Sequence, residues 1–282
     1  MTAELQIVGA TKMMAAARYH AALTDGLVLA GSRSLRDGPT AGELALEGEY
    51  NRAAQPALAE LYARPIVAGL GAMMGLSEAE IVRWVLDYYG EERAAVERLG
   101  EVYQGFGRRA FNLGGQMGLE ELGLFGRFEA TDGWVLDEID AQTARLTDLR
   151  RGARLSTVVT TAEEIGREVN RRREEGIEAV DLLPLLSAWA LGRMVIRTAM
   201  IAATESVRMT RWGMVWAFAG NGVGGVRHVC EPDVDDKCSG KICPPLCGTE
   251  YRLGGVFHPM RGIPSAGLIP LHARCRCFYE PL

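Results

Sequence analysis

Apolar residues recur every three or four positions along most of the chain, a spacing that places them on one face of an α-helix. The segment Ser77-Glu78-Ala79-Glu80 matches a capping box, in which the Ser and Glu side chains satisfy free backbone N–H groups. It precedes an apolar run at helical spacing, which comprises Ile81, Val82, Val85, Leu86 and Tyr89. We therefore predict a helix from about Glu78 to Val102.

Three later segments carry similar helical signals. An amphipathic run extends from Trp134 to about Arg150, and Thr161-Ala162-Glu163-Glu164 predicts a second capping box, for a charged helix that ends near Gly176. A long apolar run follows Asp181 through Leu185, Trp189, Ile196, Met200 and Ala203. The body of the protein is thus expected to be mostly helical.

Two segments weaken this pattern. The stretch from Gly31 to Gly48 has little periodicity and is expected to be an arm or a loosely packed lead-in. The stretch from Gly105 to Gly126 contains seven glycines, and each glycine costs about 1 kcal/mol relative to alanine inside a helix. We therefore predict a bend between helices there.

The pattern changes after Gly220, where Asn221-Gly222-Val223-Gly224-Gly225 is typical of turns. All six cysteines lie beyond this point. The predicted fold is mainly α, with an elongated helical body and a small cysteine-rich α+β C-terminal module. The expected divisions are an N-terminal arm or lead-in helices at 1–56, the helical body at 57–219, and the module at 220–282.

Charge argues against bulk electrostatic binding of nucleic acid. The formal net charge is −5, divided into +2 for residues 205–282 and −7 for the rest of the chain. Phosphate affinity requires several Lys or Arg side chains acting together, so any DNA contact is expected to be weak and local. The N-terminal segment lacks signal-peptide features, and Arg193 and Arg197 interrupt the apolar segment that starts at Leu182. No membrane contact is therefore expected.

The cysteine module offers ligands for a structural metal ion. The candidates are Cys238, Cys243, Cys247, His272, Cys275 and Cys277. Four of them around Zn²⁺ would complete a tetrahedral site. A small segment rich in glycine buries little apolar surface, so a metal or disulfides would supply the missing constraint. Disulfides and buried reduced thiols are the alternatives to zinc.

Several of these residues carry a resemblance to a known family. They are Thr204-Glu205, Trp212, Trp216, Asp235-Asp236-Lys237-Cys238, Cys247-Gly248 and Pro270-Leu271-His272-Ala273-Arg274-Cys275-Arg276-Cys277. Over roughly residues 130–280 the chain resembles the phage Mu F-like head-morphogenesis proteins, and the terminal Pro/His/Cys-Arg-Cys cluster is the most specific part. The resemblance implies a minor head protein in the virion, present in few copies, which assembles in the host cytoplasm. Its implied partner is the portal protein, with scaffold or major capsid protein and packaged DNA as further candidates.

The Thr204-Glu205 pair predicts a structural clamp between the long helix and the C-terminal module. Its expected partner is Arg274 or Arg276, because a buried carboxylate requires a pairing cation. The alternative is that Glu205 pairs with Arg208 on the same helix face. The two arginines would then pair instead with the acidic turn at Asp235 and Asp236, or extend into solvent.

We predict no catalytic residues. The sequence contains no His-x-Glu and no His-Glu-x-x-His segment, the patterns expected in zinc deaminases and zinc proteases. Two other functions stay open as alternatives: a zinc-stabilised nucleic-acid-binding module and a metal-dependent hydrolase.

Overall fold

Helices make up most of the protein, and a small sheet lies near its C-terminus. The computed structural model describes residues 40–129, 133–153, 156–230, 243–255, 259–264, 268–270, 275 and 277–282. The helices are α1 (Ala41–Met73), α2 (Glu78–Glu91), α3 (Ala94–Glu121), α4 (Gly133–Leu146), α5 (Thr157–Glu174) and α6 (Ala179–Gly220). The strands are β1 (Gly225–Val229), β2 (Glu250–Arg252) and β3 (Phe278–Pro281), with 3₁₀ turns at Pro244–Leu246 and Pro259–Gly262. The prediction of a mainly helical protein with a small cysteine-containing sheet near the C-terminus is confirmed.

The chain forms two compact units, and both draw on segments distant in sequence. Within the described residues, the first unit comprises Asn51–Gln104 and Asp140–Thr198. The second comprises 40–50, Gly105–Ile139 and Ala199–Leu282. The C-terminal sheet therefore belongs to the same unit as the last part of α6.

In the first unit, α2 packs against α5. The predicted capping box of α2 is confirmed, since the Glu80 carboxylate accepts hydrogen bonds from the Ser77 backbone N–H at 2.9 Å and the Ser77 hydroxyl at 2.6 Å. The predicted helix end near Val102 is wrong. Helix α2 ends at Glu91, because Glu92 leaves helical geometry at φ −98° and ψ 67°, and α3 begins at Ala94.

The predicted capping box at Thr161–Glu164 is also wrong. Helix α5 begins four residues earlier, where the Ser156 side chain accepts a hydrogen bond from the Val159 N–H. Glu164 is buried and accepts hydrogen bonds from Tyr62 and Arg193. Burial opposes its ionisation, but these hydrogen bonds outweigh burial and lower the pKa of Glu164. The carboxylate thus organises a buried polar cluster and does not cap a helix.

In the second unit, glycines allow α3 and α6 to approach closely. A methyl group at Gly114 would lie 1.8 Å from the Thr210 carbonyl oxygen, and one at Gly213 would lie 2.0 Å from the Phe111 carbonyl oxygen. The predicted bend is therefore absent from Gly105 to Glu121, where α3 continues, and the chain leaves the helix only at the end of this range, with Gly123 at φ 69°. Tertiary packing between the two helices outweighs the low helix propensity of glycine.

Helix α1 begins within the stretch that was expected to be an arm or a loosely packed lead-in. The Thr40 N–H donates to the Glu43 carboxylate at 2.9 Å, and the Glu43 N–H donates to the Thr40 hydroxyl at 3.1 Å. This is a reciprocal capping box. The helix therefore starts at Ala41, and Glu43 and Leu46 in its first two turns are buried.

Helix α6 is long and apolar, with 42 residues. By length and composition alone it could cross a membrane, although core helices of soluble proteins pass the same test. In the first unit, its fully buried residues follow a four-residue spacing and comprise Leu182, Leu186, Ala190 and Met194. In the second unit, Trp212 and Trp216 are buried in one hydrophobic cluster with Phe111, as expected for residues spaced i, i+4.

The sheet has β1 at its centre, in the order β2-β1-β3, and both pairings are antiparallel. The register places Val226 opposite Tyr251 of β2 and His228 opposite Tyr279 of β3. Because side chains alternate along a strand, Val226 and His228 share the buried face while Arg227 is exposed. This buried face packs into a hydrophobic cluster that also contains cysteines.

Candidate metal centre in the C-terminal sheet

His228 is one of the residues of the candidate site and has no exposed surface. Its backbone is held on both sides, since the His228 N–H donates to the Thr249 carbonyl and the Gly248 N–H donates to the His228 carbonyl, each at 2.8 Å. The ring makes an edge contact with Tyr279 at 6.0 Å between centroids. Burial lowers the pKa of His228 to about 4, so the imidazole is neutral at pH 7.

Two cysteines beside His228 are joined to each other. Cys230 and Cys247 form a disulfide with a Cα–Cα distance of 5.5 Å. This bond ties the segment after β1 to the segment that follows the first 3₁₀ turn. The disulfide alternative is therefore observed for one pair, and neither sulfur is a free thiol in this state.

The other three described cysteines form a buried group. Cys243, Cys275 and Cys277 are not disulfide-bonded and have no exposed surface, and their sulfur atoms all lie within 4.8 Å of one another. A hydrogen bond with Cys275 and burial raise the pKa of the Cys277 thiol well above its usual range. In the absence of a cation, Cys277 is therefore protonated.

The cysteine and histidine groups have the composition and spacing to hold a metal ion. His228, Cys230 and Cys277 form a second group whose ligand atoms lie within 4.8 Å of one another, and Cys277 is common to both groups. Zn–S bonds of about 2.3 Å in a tetrahedron place sulfur atoms about 3.8 Å apart. A shift of roughly 1 Å or less would therefore bring the three free cysteines to zinc-binding distance.

The surroundings of the site are apolar. Val226, Ile263, Ile269 and Phe278 belong to the same buried cluster as the three free cysteines. Such a shell limits the access of water to the site. The arrangement therefore favours a closed structural site over an open catalytic one, which would need a position for water.

The structure places the predicted metal ligands as follows. Cys243, Cys275 and Cys277 come together, while Cys247 is bonded to Cys230. Cys238 and His272 lie outside the described residues.

Sequence reasoning did not select His228 or Cys230 as site residues. Val226, Arg227 and His228 do alternate between buried and exposed positions. This alternation is too short to predict a strand from the sequence. A histidine on the buried face of a strand became recognisable only from the pairing of β1 with both neighbours.

The predicted clamp residues on α6 make contacts within their own helix. The Arg208 guanidinium donates to both carboxylate oxygens of Glu205 at 2.8 Å, as the alternative reading expected. The Thr204 hydroxyl donates to the Met200 carbonyl at 2.7 Å. The proposed partners Arg274 and Arg276, and the acidic turn at Asp235 and Asp236, lie outside the described residues, so the clamp stays a prediction.

A second connection between α6 and the C-terminal strand was not anticipated. The Arg211 Nε–H donates to the Cys277 carbonyl at 3.1 Å, and Arg211 Nη1 donates to the Glu43 carboxylate at 2.7 Å. Both charged side chains are about 2% exposed. Arg211 therefore links the start of α1, the C-terminal part of α6 and the cysteine segment through one guanidinium group.

Comparison with protein-family models, with curated proteins and with solved structures gives no match for this chain.

Proposed function

We propose that this protein is a structural, non-enzymatic component of a tailed-phage head, a minor head protein that assembles at the portal or inside the head during DNA packaging. The proposal rests on the sequence resemblance together with one structural observation. The described residues that carry the resemblance fall into a single compact unit, although they are up to 73 positions apart. They are Thr204, Glu205, Trp212, Trp216, Cys247, Gly248, Pro270, Cys275 and Cys277.

Residues that share one unit are expected to act as one structural element. In this unit Arg211 of α6 contacts the carbonyl of Cys277, and Trp212 and Trp216 contribute to the core. Helix α6 thus supports two parts of this unit, the C-terminal sheet through Arg211, Val215 and Phe218 and a separate core through Trp212 and Trp216. That role suits a protein whose function is to present a stable surface to partners.

The proposal includes a structural Zn²⁺ in the cysteine-rich module. Three buried thiols and a buried histidine are donor types that zinc accepts. A bound metal would supply cross-links that a sheet of three short strands cannot provide through its own core. The proposed partner is the portal protein, with scaffold or major capsid protein as further candidates.

The test is a pull-down from a lysate of cells infected with the parent phage, with the tagged protein as bait. We expect the portal protein to be captured and to remain bound as salt rises. DNA contact should be lost between about 50 and 200 mM salt, because few phosphates are neutralised. The purified protein should show no hydrolytic turnover.

Deletion of the gene should give heads of altered composition or lower infectivity. Normal, infectious heads without the protein, together with no portal capture, would refute the proposal. Salt-resistant DNA binding without portal capture would favour the nucleic-acid-binding alternative instead.

A further inference from the structure

His228 has unused hydrogen-bonding capacity in a place where such capacity is costly. Within the part of the chain that the structure describes, neither of its ring nitrogens has a hydrogen-bond partner, although the side chain has no exposed surface. A neutral imidazole carries one N–H donor and one lone pair. Each buried polar group left without a partner costs about 1–3 kcal/mol. A ligand that used the lone pair would remove part of this cost.

The imidazole lies close to sulfur atoms. A ring nitrogen of His228 lies within 4.8 Å of the sulfur atoms of Cys230 and Cys277. Cys230 is committed to the disulfide with Cys247, whereas Cys277 is a free thiol that also belongs to the group with Cys243 and Cys275. The Cys277 sulfur therefore lies within 4.8 Å of a ring nitrogen of His228 and of the sulfur atoms of Cys243 and Cys275.

We propose that His228 is the fourth ligand of a Cys₃His zinc centre that Cys243, Cys275 and Cys277 complete. This assignment rests on the structural zinc of the proposed function and names the residues that hold it. On binding, the three thiols release three protons, three Zn–S bonds form, and the neutral imidazole donates its lone pair to the metal. The centre carries a net charge of −1, and no oxidant or reductant takes part.

The ligands come from three places in the fold, which explains why a metal here would matter. His228 lies in the central strand β1, Cys243 directly precedes the first 3₁₀ turn, and Cys275 and Cys277 lead into the edge strand β3. The Cys230–Cys247 disulfide already connects the first two places. Zinc would add the connection to the segment before β3, so the two cross-links are complementary.

The first measurement uses the full chain purified without reductant, so that the disulfide is intact. We expect one zinc per chain by elemental analysis. After exchange of zinc for Co²⁺, the visible spectrum should show tetrahedral geometry and thiolate-to-cobalt charge transfer. A folded, disulfide-bonded protein that neither contains nor binds zinc would overturn both the assignment and the structural zinc of the proposed function.

Three variants then test whether His228 is the histidine that binds the metal. His228→Phe fills a similar volume without a donor atom, and we expect its zinc affinity to fall by more than about 100-fold, since loss of an outer-shell partner alone costs about 10–100-fold. His228→Cys should still bind one zinc, and its Co²⁺ charge-transfer band should intensify because a fourth thiolate is present. His272→Ala is the matched control and should bind zinc like the unchanged protein.

The outcomes separate the two proposals. Full zinc affinity in His228→Phe, or loss of zinc in His272→Ala alone, would overturn the role of His228 and leave the structural zinc standing. If His228→Phe does not fold, the cobalt spectrum of His228→Cys shows whether position 228 contacts the metal. A spectrum identical to that of the unchanged protein would mean that position 228 does not contact the metal.

Discussion

The buried ion pair between Arg211 and Glu43 offers a sharp test of how the second unit is held together. The charged atoms are 2.7 Å apart and both side chains are 2% exposed. At an effective dielectric constant near 20, two unit charges at this distance attract by about 6 kcal/mol before the cost of desolvation. Arg211→Met keeps much of the volume of the side chain and removes its charge.

We expect Arg211→Met to lower the free energy of unfolding by about 3–5 kcal/mol. The main cause is that Glu43 becomes an unpaired buried charge, and the hydrogen bond to the Cys277 carbonyl is lost as well. Glu43→Gln removes this charge, and glutamine can still cap α1 at Thr40. The double variant should therefore be more stable than the sum of the two single losses predicts, with a coupling energy of about 1–3 kcal/mol.

Urea unfolding followed by circular dichroism and tryptophan fluorescence measures these differences. Arg109→Met is the matched control, because its partner Glu49 lies at 2.6 Å but the two side chains are 53% and 43% exposed. An exposed pair contributes less than about 1 kcal/mol. Equal losses for Arg211→Met and Arg109→Met, or no coupling between positions 43 and 211, would refute the reasoning.

Three further predictions test the packing and the titration of particular residues. Gly114→Ala should lower the free energy of unfolding by about 3 kcal/mol or more, because the new methyl group would meet the Thr210 carbonyl. Gly105→Ala, with open space around it, should raise the free energy of unfolding by about 0.5–1 kcal/mol. Urea unfolding measures both changes, and an unchanged Gly114→Ala or a destabilised Gly105→Ala would contradict this packing. Ser156→Ala should lower the free energy of unfolding by about 1–2 kcal/mol, because the N-cap of α5 is lost. An unchanged melting temperature would contradict the role of Ser156 as the cap. Because the pKa of His228 falls from 6.5 in the unfolded chain to about 4 in the folded one, the unfolded state binds the extra proton between these values. The contribution of His228 to the stability of the metal-free protein is therefore full above pH 6.5 and falls by about 3 kcal/mol as pH drops to 4. A His228→Phe variant with the same pH profile would exclude His228 as a cause.

Local signals in the sequence determined most of the helices and the character of the C-terminal region. The apolar spacing of Ile81, Val85 and Tyr89 and the capping box at Ser77 depend only on near neighbours, so α2 and its start could be predicted. The concentration of all cysteines beyond Gly220 similarly indicated a small cross-linked region. The same local reasoning missed the Thr40–Glu43 capping box, because the surrounding glycines obscured the start of α1.

Only the tertiary structure decided which distant residues meet. Gly114 lies inside a helix because α6 packs closely against it, a contact that no property of the α3 segment could reveal. The pairing of Cys230 with Cys247, the grouping of Cys243 with Cys277, and the burial of His228 all depend on how β1 pairs with β2 and β3. Sequence spacing constrains such long-range contacts weakly, since closing a longer loop costs only slightly more entropy than closing a shorter one. The partners of a cysteine or a buried histidine are therefore determined by the assembled sheet and its core.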